Sequence, residues 1–425
     1  MTPIDDHPLR YALANELHAR PFPVAGAPCT VVFLAVKKPE AAVARDRGED
    51  MAHLVALLDR HGAQAPKDGV THYSGQIGRH WLKWEQHTEF VTYTAITQNV
   101  SDRPFNPADF EVFPEDWLKE SPGKRITSVL LRVVPCPKDE VVKDALLDWF
   151  DPESLAVSRV LDDSAICASD FRIDPAGHMR FALFVREGTG DRRTGRIVQR
   201  LCEIETYKAM SMLGFARVNQ LSSRIGALDG KLTELMVEMT DDTTPPDSLL
   251  PQLLTTSTEL ETISARCSFR FGATGAYEAL VNQRITVLRE ERFKGGQTFA
   301  DFMMRRYDPA MRTVKSAERR LKALSDRAIR AGELLRTRVD VERSAQNQAL
   351  LESMDRRADL ALRLQHTVEG LSVVAISYYA VSLVSYFLYP LTSIGVSKGM
   401  LTAAITIPVV LCVWFAVRRI RKRLA

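Results

Sequence analysis

The chain has 425 residues, with 56 Lys/Arg against 53 Asp/Glu and a formal net charge of +3 at pH 7. That length leaves room for two or three domains, and so even a charge balance argues against a nucleic-acid surface. Six cysteines (Cys29, Cys136, Cys167, Cys202, Cys267 and Cys412) form no CxxC and no pairing pattern, which fits reduced thiols facing a cytosol and argues against a zinc site.

In chain order, His7–Pro21 reads as a short amphipathic helix. Asp5 or Asp6 caps it, Pro8 suits its first turn, Leu9, Leu13 and Leu17 recur at helical spacing, and its last turn carries His18. Nothing before it resembles an apolar signal core. Cys29–Val36 predicts a buried strand and Glu40–His61 a helix ended by Gly62. Thr71–Ile77 and the long alternating run Trp81–Thr97 predict antiparallel strands. After turn-rich Asp102–Pro107 and one or two helical turns at Pro114–Lys119 come a strand at Ile126–Val134, a helix at Glu140–Phe150, and strands at Ser164–Ser169 and His178–Arg186. Irregular alternation of strands and helices makes residues 1–190 an α+β head.

Gly188–Gly195 reads as a linker, after which strands are no longer expected. Arg196–Met239 and Leu249–Arg292 predict long helices, separated by Pro245 and Pro246, and a short helix follows around Thr298–Tyr307; residues 191–309 make a helical domain. Between Pro309 and Pro390 there is no proline and only two glycines, Gly332 and Gly370. Residues 310–369 interleave 13 Lys/Arg and 9 Asp/Glu with Leu and Val and predict a long stalk helix. At about 1.5 Å per residue the unbroken stretch is roughly 120 Å long and needs partners, either the preceding helices or further copies of the chain.

No charge occurs from Gly370 to Ser397, and none from Gly399 to Val417. Each run reaches the length of about 20 apolar residues that a helix needs to cross a bilayer. The expectation is a two-helix transmembrane hairpin: span 370–389, external loop 390–398, span 399–417 and a basic tail 418–425. Arg418, Arg419, Arg421, Lys422 and Arg423 follow the second span, whereas only Lys398 lies between the spans. The positive-inside rule then places both termini in the cytoplasm. The basic tail either fixes topology or also grips anionic lipid head groups.

Two constellations stand out. In Trp81–Phe90, an extended backbone puts Lys83, Glu85, His87 and Glu89 on one face. Glu85, His87 and Glu89, joined by His18 if the fold brings it close, offer a divalent-cation site or cross-strand ion pairs. In the first span, Tyr378, Ser382, Ser385 and Tyr389 form one polar stripe, either lining a pore or packing helices through hydroxyls. Glu369 stands at the membrane entrance, where several copies would make a carboxylate ring. No phosphate loop, HExxH, GxSxG or dinucleotide fingerprint occurs, so no enzyme activity is expected and no small-molecule substrate is identified.

The stretches His7–Phe22, Lys83–Tyr93, Cys202–Lys208, Phe269–Thr274 and Gln365–Tyr379 resemble a bacterial domain-of-unknown-function family of membrane-anchored proteins, over essentially the whole chain. The resemblance implies a membrane-anchored bacterial protein and no defined activity; with the hairpin and its charges, the expectation is a multi-pass protein of the inner membrane. More loosely, the layout resembles CorA-type magnesium channels, which implies a CorA-like homo-oligomer passing or sensing cations. The Gly-Met-Asn tripeptide of that family is missing here: Tyr389-Pro390-Leu391 follows the first span, and Gly399-Met400 precedes Leu401. The competing expectation is a membrane-anchored scaffold or sensor without transport.

Overall fold

Cys29–Lys37 carries β-branched and apolar residues on both faces, and in the computed structural model this strand, β1, is buried along its whole length. The structure describes residues 4–16, 22–40, 42–67, 69–241, 244–390 and 397–424. A short helix α1 (Arg10–Glu16) precedes β1, and α2 (Arg47–Arg60) follows it, capped by the Asp46 carboxylate on the Gly48 amide. The sheet adds β2 (His72–Ile77), β3 (His80–Gln86), β4 (Phe90–Gln98), β5 (Lys124–Pro135), β6 (Ala156–Val160), β7 (Ala165–Ser169) and β8 (Met179–Val185). Helices α3 (Glu115–Lys119) and α4 (Asp139–Trp149) lie between them in sequence. Then come α5 (Asp191–Glu238), α6 (Pro246–Leu288), the two-residue strand β9 (Glu291–Arg292), α7 (Phe299–Arg306), α8 (Asp308–Phe387) and α9 (Lys398–Leu424).

The described strands form one sheet in the order β2-β3-β4-β1-β5-β8-β7-β6-β9, antiparallel throughout except for the parallel pair β5–β8. Strand alternation sends Val31, Phe33 and Ala35 to one side, where they meet Ile197, Leu201 and Ile204 of α5 and Phe299 and Phe302 of α7. Val32, Leu34 and Val36 point to the other side, against Leu54, Leu57 and Leu58 of α2, Trp117 of α3, and Val142 and Leu146 of α4. The sheet is therefore covered on both faces, and the mixed α+β reading of the N-terminal part holds.

Two expectations are corrected here. The linker at Gly188–Gly195 ends early: α5 begins at Asp191, and Gly195 sits in its first turns. A Cβ at Gly195 would lie 1.7 Å from the Pro23 carbonyl oxygen, so only glycine lets the chain before β1 pass across the helix. Gly195→Ala is expected to cost about 1–3 kcal/mol of stability as the crossing segment is pushed away, measured by urea unfolding in detergent. Strand pairing also returns after α6: Glu291 pairs with Arg159 and Arg292 with Ser158, extending the sheet edge.

Residues Met1–Asp241 and Pro251–Ala331 form one compact unit. Within it, α5, α6 and the start of α8 pack side by side. Asp229 of α5 accepts from Arg320 at 2.7 Å and Arg327 at 3.2 Å on α8; Arg224 of α5 donates to Glu259 of α6 at 2.6 Å; Lys315 of α8 donates to Glu278 of α6 at 2.7 Å. At Gly214 the helices approach so closely that a Cβ would meet the Thr274 hydroxyl at 2.2 Å. The boundary expected at residue 190 lies inside this unit.

The second unit comprises Asp242–Leu250 and Gly332–Ala425. Here α8 is continuous to Phe387, and nearly every described side chain from Asp340 to Ile376 is exposed. Both α8 and α9 contain a stretch long and apolar enough to cross a membrane; 6% of that stretch is buried in α8 and none in α9.

His80 opens β3 with its Nδ1 2.5 Å from the Thr97 hydroxyl. Burial, then the Arg79 guanidinium and His61, lower its pKa to about 4. An unfolded histidine titrates near 6.5, so the neutral ring favours folding. Stability from this group is full above about pH 6.5 and is lost as pH falls toward 4. A melting temperature followed by circular dichroism is expected to drop over that window, and to drop less steeply in His80→Asn.

Candidate functional site

The alternation through Trp81–Thr97 is interrupted by a turn. The His87 amide donates to the Phe90 carbonyl at 2.8 Å, which closes a hairpin between β3 and β4. Arg45 holds this turn from below: its guanidinium donates to the carbonyls of His87 at 2.6 Å, Thr88, and Phe90 at 3.3 Å. Asp50 of α2 accepts from Arg45 Nε at 2.8 Å and from Gln86 at 2.9 Å. Both charged side chains are buried. Because of the turn, the four residues expected on one extended face do not stay together.

Lys83, Glu85 and His87 do converge. They line a 240 Å³ cavity with Phe33, Phe90, Thr92 and Thr94 of the sheet, Gln199, Cys202, Glu203 and Tyr207 of α5, and Arg284 of α6. Lys83, almost completely buried, lies 3.1 Å from Glu85 and donates to Gln199 at 3.0 Å. Gln199, one helical turn before Glu203, donates to it at 2.7 Å, and Arg284 closes the chain on the other Glu203 oxygen. The lining thus runs carboxylate, cation, amide, carboxylate, cation from Glu85 to Arg284, each charge answered by a neighbour. Cys202 is at the wall, and burial followed by Glu203 and Glu205 raises its thiol well above the ordinary value. A thiol held protonated is a poor nucleophile.

Glu89 turns away from the cavity. It is 2% exposed, pairs with Arg270 and accepts from the Tyr277 hydroxyl at 3.1 Å, both partners on α6. Burial, then Glu89, raises the Tyr277 pKa, so the phenol stays a donor. Tyr277 in turn stacks on Tyr207 with ring centroids 5.8 Å apart. Glu89 is therefore a hairpin-to-helix tie, separate from Glu85 and His87. Among the described residues no group of three or more His, Cys, Asp or Glu is placed to hold a metal ion. His18 lies outside the described residues. The sequence reading missed Gln199, Glu203 and Arg284, although two polar residues one turn apart on a helix face next to Leu201 and Cys202 were a usable signal.

In the second unit, Glu369 is half-buried and accepts from Gln365 at 3.1 Å, with His366 3.8 Å away. Val417 and Ile420 of α9 line one groove with Gln365, Val368, Ser372 and Ile376 of α8, so the apolar helices return alongside each other. Tyr378 and Tyr389 are exposed and Ser382 and Ser385 half-buried; Ser377 is buried. The hydroxyls of Ser377 and Ser385 are shielded without a hydrogen-bond partner. Arg418 lies over the Trp414 ring at 4.9 Å and Arg419 is exposed. The side chains of Arg421, Lys422 and Arg423 lie outside the described residues.

No curated protein matches the chain. A family model does, over residues 5–424, spanning head, long helices and both apolar stretches. The chain belongs to the family described as "Protein of unknown function (DUF3422)".

Proposed function

We propose that this is an integral protein of the bacterial inner membrane, anchored by a two-span hairpin, whose cytoplasmic head binds a small polar solute and does not convert it. The observation that carries the reading is the exposure of two long apolar stretches on a chain whose head buries its apolar residues. A core helix of equal hydropathy would be covered by protein, and these are not; a signal sequence would stand near residue 1, and these stand past residue 370. Exposed apolar area on this scale calls for a bilayer. Five Lys/Arg after α9's apolar stretch, against one between the spans, support cytoplasmic termini.

The head's part follows from the cavity. Its paired charges at Lys83–Glu85 and Glu203–Arg284 complement a small dipolar solute better than a bare ion. With Cys202 kept protonated, the lining favours recognition over covalent chemistry. Membranes from expressing cells, washed with alkaline carbonate, test the anchoring. The full chain is expected to stay in the pellet; release into the supernatant overturns the reading.

A second reading, cation passage through a CorA-like assembly, draws support from the hydroxyl stripe Tyr378, Ser382, Ser385 and Tyr389 and from Glu369 at its mouth. Divalent-cation flux in proteoliposomes is its test; liposomes no leakier than protein-free ones exclude it.

A further inference from the structure

Away from the cavity, the head gathers a second set of charges, and these are of one sign. Strand β1 ends at Lys37 and β5 opens with Lys124, and the antiparallel register sets the two lysines directly opposite each other. Like charges facing across a strand pair are destabilising. On α6, Arg266 and Arg270 stand at i and i+4, the spacing at which like charges repel along a helix. Arg125 of β5 and Arg217 of α5 join them, and all six line one groove of about 670 Å³. The lining contains one carboxylate, Glu40, and no aromatic ring, and it shares no residue with the cavity at Lys83.

Few of these charges are answered. Among the described residues, the Lys124 and Arg266 side chains make no ion pair or hydrogen bond, and Arg217 reaches only the Gln220 side-chain oxygen, at 3.5 Å. Arg270 gives one arm to Glu89, while its Nη1 is shielded and without a hydrogen-bond partner. The Lys37 ammonium, on a residue 8% exposed, donates to the Lys38 carbonyl at 2.8 Å. Burial, then the Arg270 charge, lowers its pKa. Structural ion pairs bring opposite charges together. This groove concentrates one sign at a cost in stability, and a bound anion offsets that cost.

We propose that the groove binds a small soluble anion carrying two adjacent phosphate groups. Its four arginines offer the planar forks that match phosphate oxygens. A single phosphate monoester brings a charge of about −1.5 to −2, too little for six cations, and two adjacent phosphates bring about twice that. The volume falls within the range of small-molecule sites, about 300–1,000 Å³. The Arg270 side chain is 16% exposed and Lys37 is buried, so a flat bilayer surface would meet only the exposed Lys124, Arg125 and Arg266. Without an aromatic ring the groove has no platform for stacking the bases of single-stranded nucleic acid. The proposal rests neither on the membrane anchor nor on the cavity at Lys83.

Calorimetric titration of the full chain in detergent tests it, with inorganic pyrophosphate as the probe. Pyrophosphate is expected to bind at least about tenfold more tightly than orthophosphate, and Arg217→Gln and Arg266→Gln are each expected to weaken it by about tenfold, the scale of one charge-assisted hydrogen bond. Lys231→Gln, an exposed lysine of α5 outside the groove, is expected to change nothing. Without the probe, both groove variants are expected to melt no lower than the parent, because like-charge repulsion is relieved. Phosphatidylglycerol in the detergent micelles is expected to leave pyrophosphate binding unchanged. No binding of pyrophosphate, equal affinity for orthophosphate, or a loss in Lys231→Gln as large as in the groove variants overturns the site. So does a groove variant that melts lower than the parent, which would make the charge structural. Displacement by phosphatidylglycerol would assign the groove to lipid head groups and overturn the soluble ligand.

Discussion

Arg45→Met is expected to lower the unfolding free energy of the head by about 3–5 kcal/mol, the usual cost of stranding one member of a buried ion pair. Asp50 would keep Gln86 as a donor but lose its counter-charge at a site where both side chains are at most 5% exposed. The loss goes beyond one pair, because the Arg45 guanidinium also satisfies three carbonyls of the β3–β4 turn, and buried carbonyls left without donors cost energy of their own. Urea unfolding of the detergent-solubilised chain measures it. The partly exposed pair Lys38–Glu49 is the control, since Lys38→Met is expected to change stability by about 1 kcal/mol or less. A change in Arg45→Met no larger than the control's would show that the turn does not depend on this anchor.

Arg270→Met is expected to cost a similar amount, about 3–5 kcal/mol, by leaving the Glu89 carboxylate with the Tyr277 hydroxyl and only the more distant charge of Lys37. The two variants differ in what they loosen: Arg45 fastens the turn to α2, and Arg270 fastens it to α6. A double variant, Arg270→Met with Glu89→Gln, removes the stranded charge and is expected to recover at least about 1 kcal/mol of the loss. If the double variant is as unstable as the sum of the singles, the contact is not an ion pair of consequence.

How far the sequence discloses the molecule depends on the range of the forces involved. Strand β1 is plain because its apolar residues occupy both faces, and α8 because eighty residues without internal proline breaks leave helix as the simple reading. The β3–β4 turn is hidden because Gln86–Glu89 contains no glycine, proline or asparagine; a guanidinium from residue 45 supplies what turn residues normally do. Glu85 and His87 were legible as members of a site, yet their partners Glu203 and Arg284 lie more than a hundred residues away and join them only through the packing of α5 and α6 on the sheet. Glu89 looked equivalent to Glu85 by alternation and is not, since the turn rotates it toward Arg270. Strand β9 consists of two exposed residues that no periodicity could mark.

Cys412 gives the most direct test of membrane anchoring. Its thiol is exposed in this chain and lies inside α9's apolar stretch, where the proposed anchor puts it within the bilayer. In native membrane vesicles treated with a water-soluble maleimide and analysed peptide by peptide, Cys412 is expected to remain unmodified. A cysteine introduced by Ser344→Cys on the exposed part of α8 is expected to react fully in inverted vesicles. Modification of Cys412 at the rate of the introduced cysteine would place α9 in water and contradict the membrane anchor.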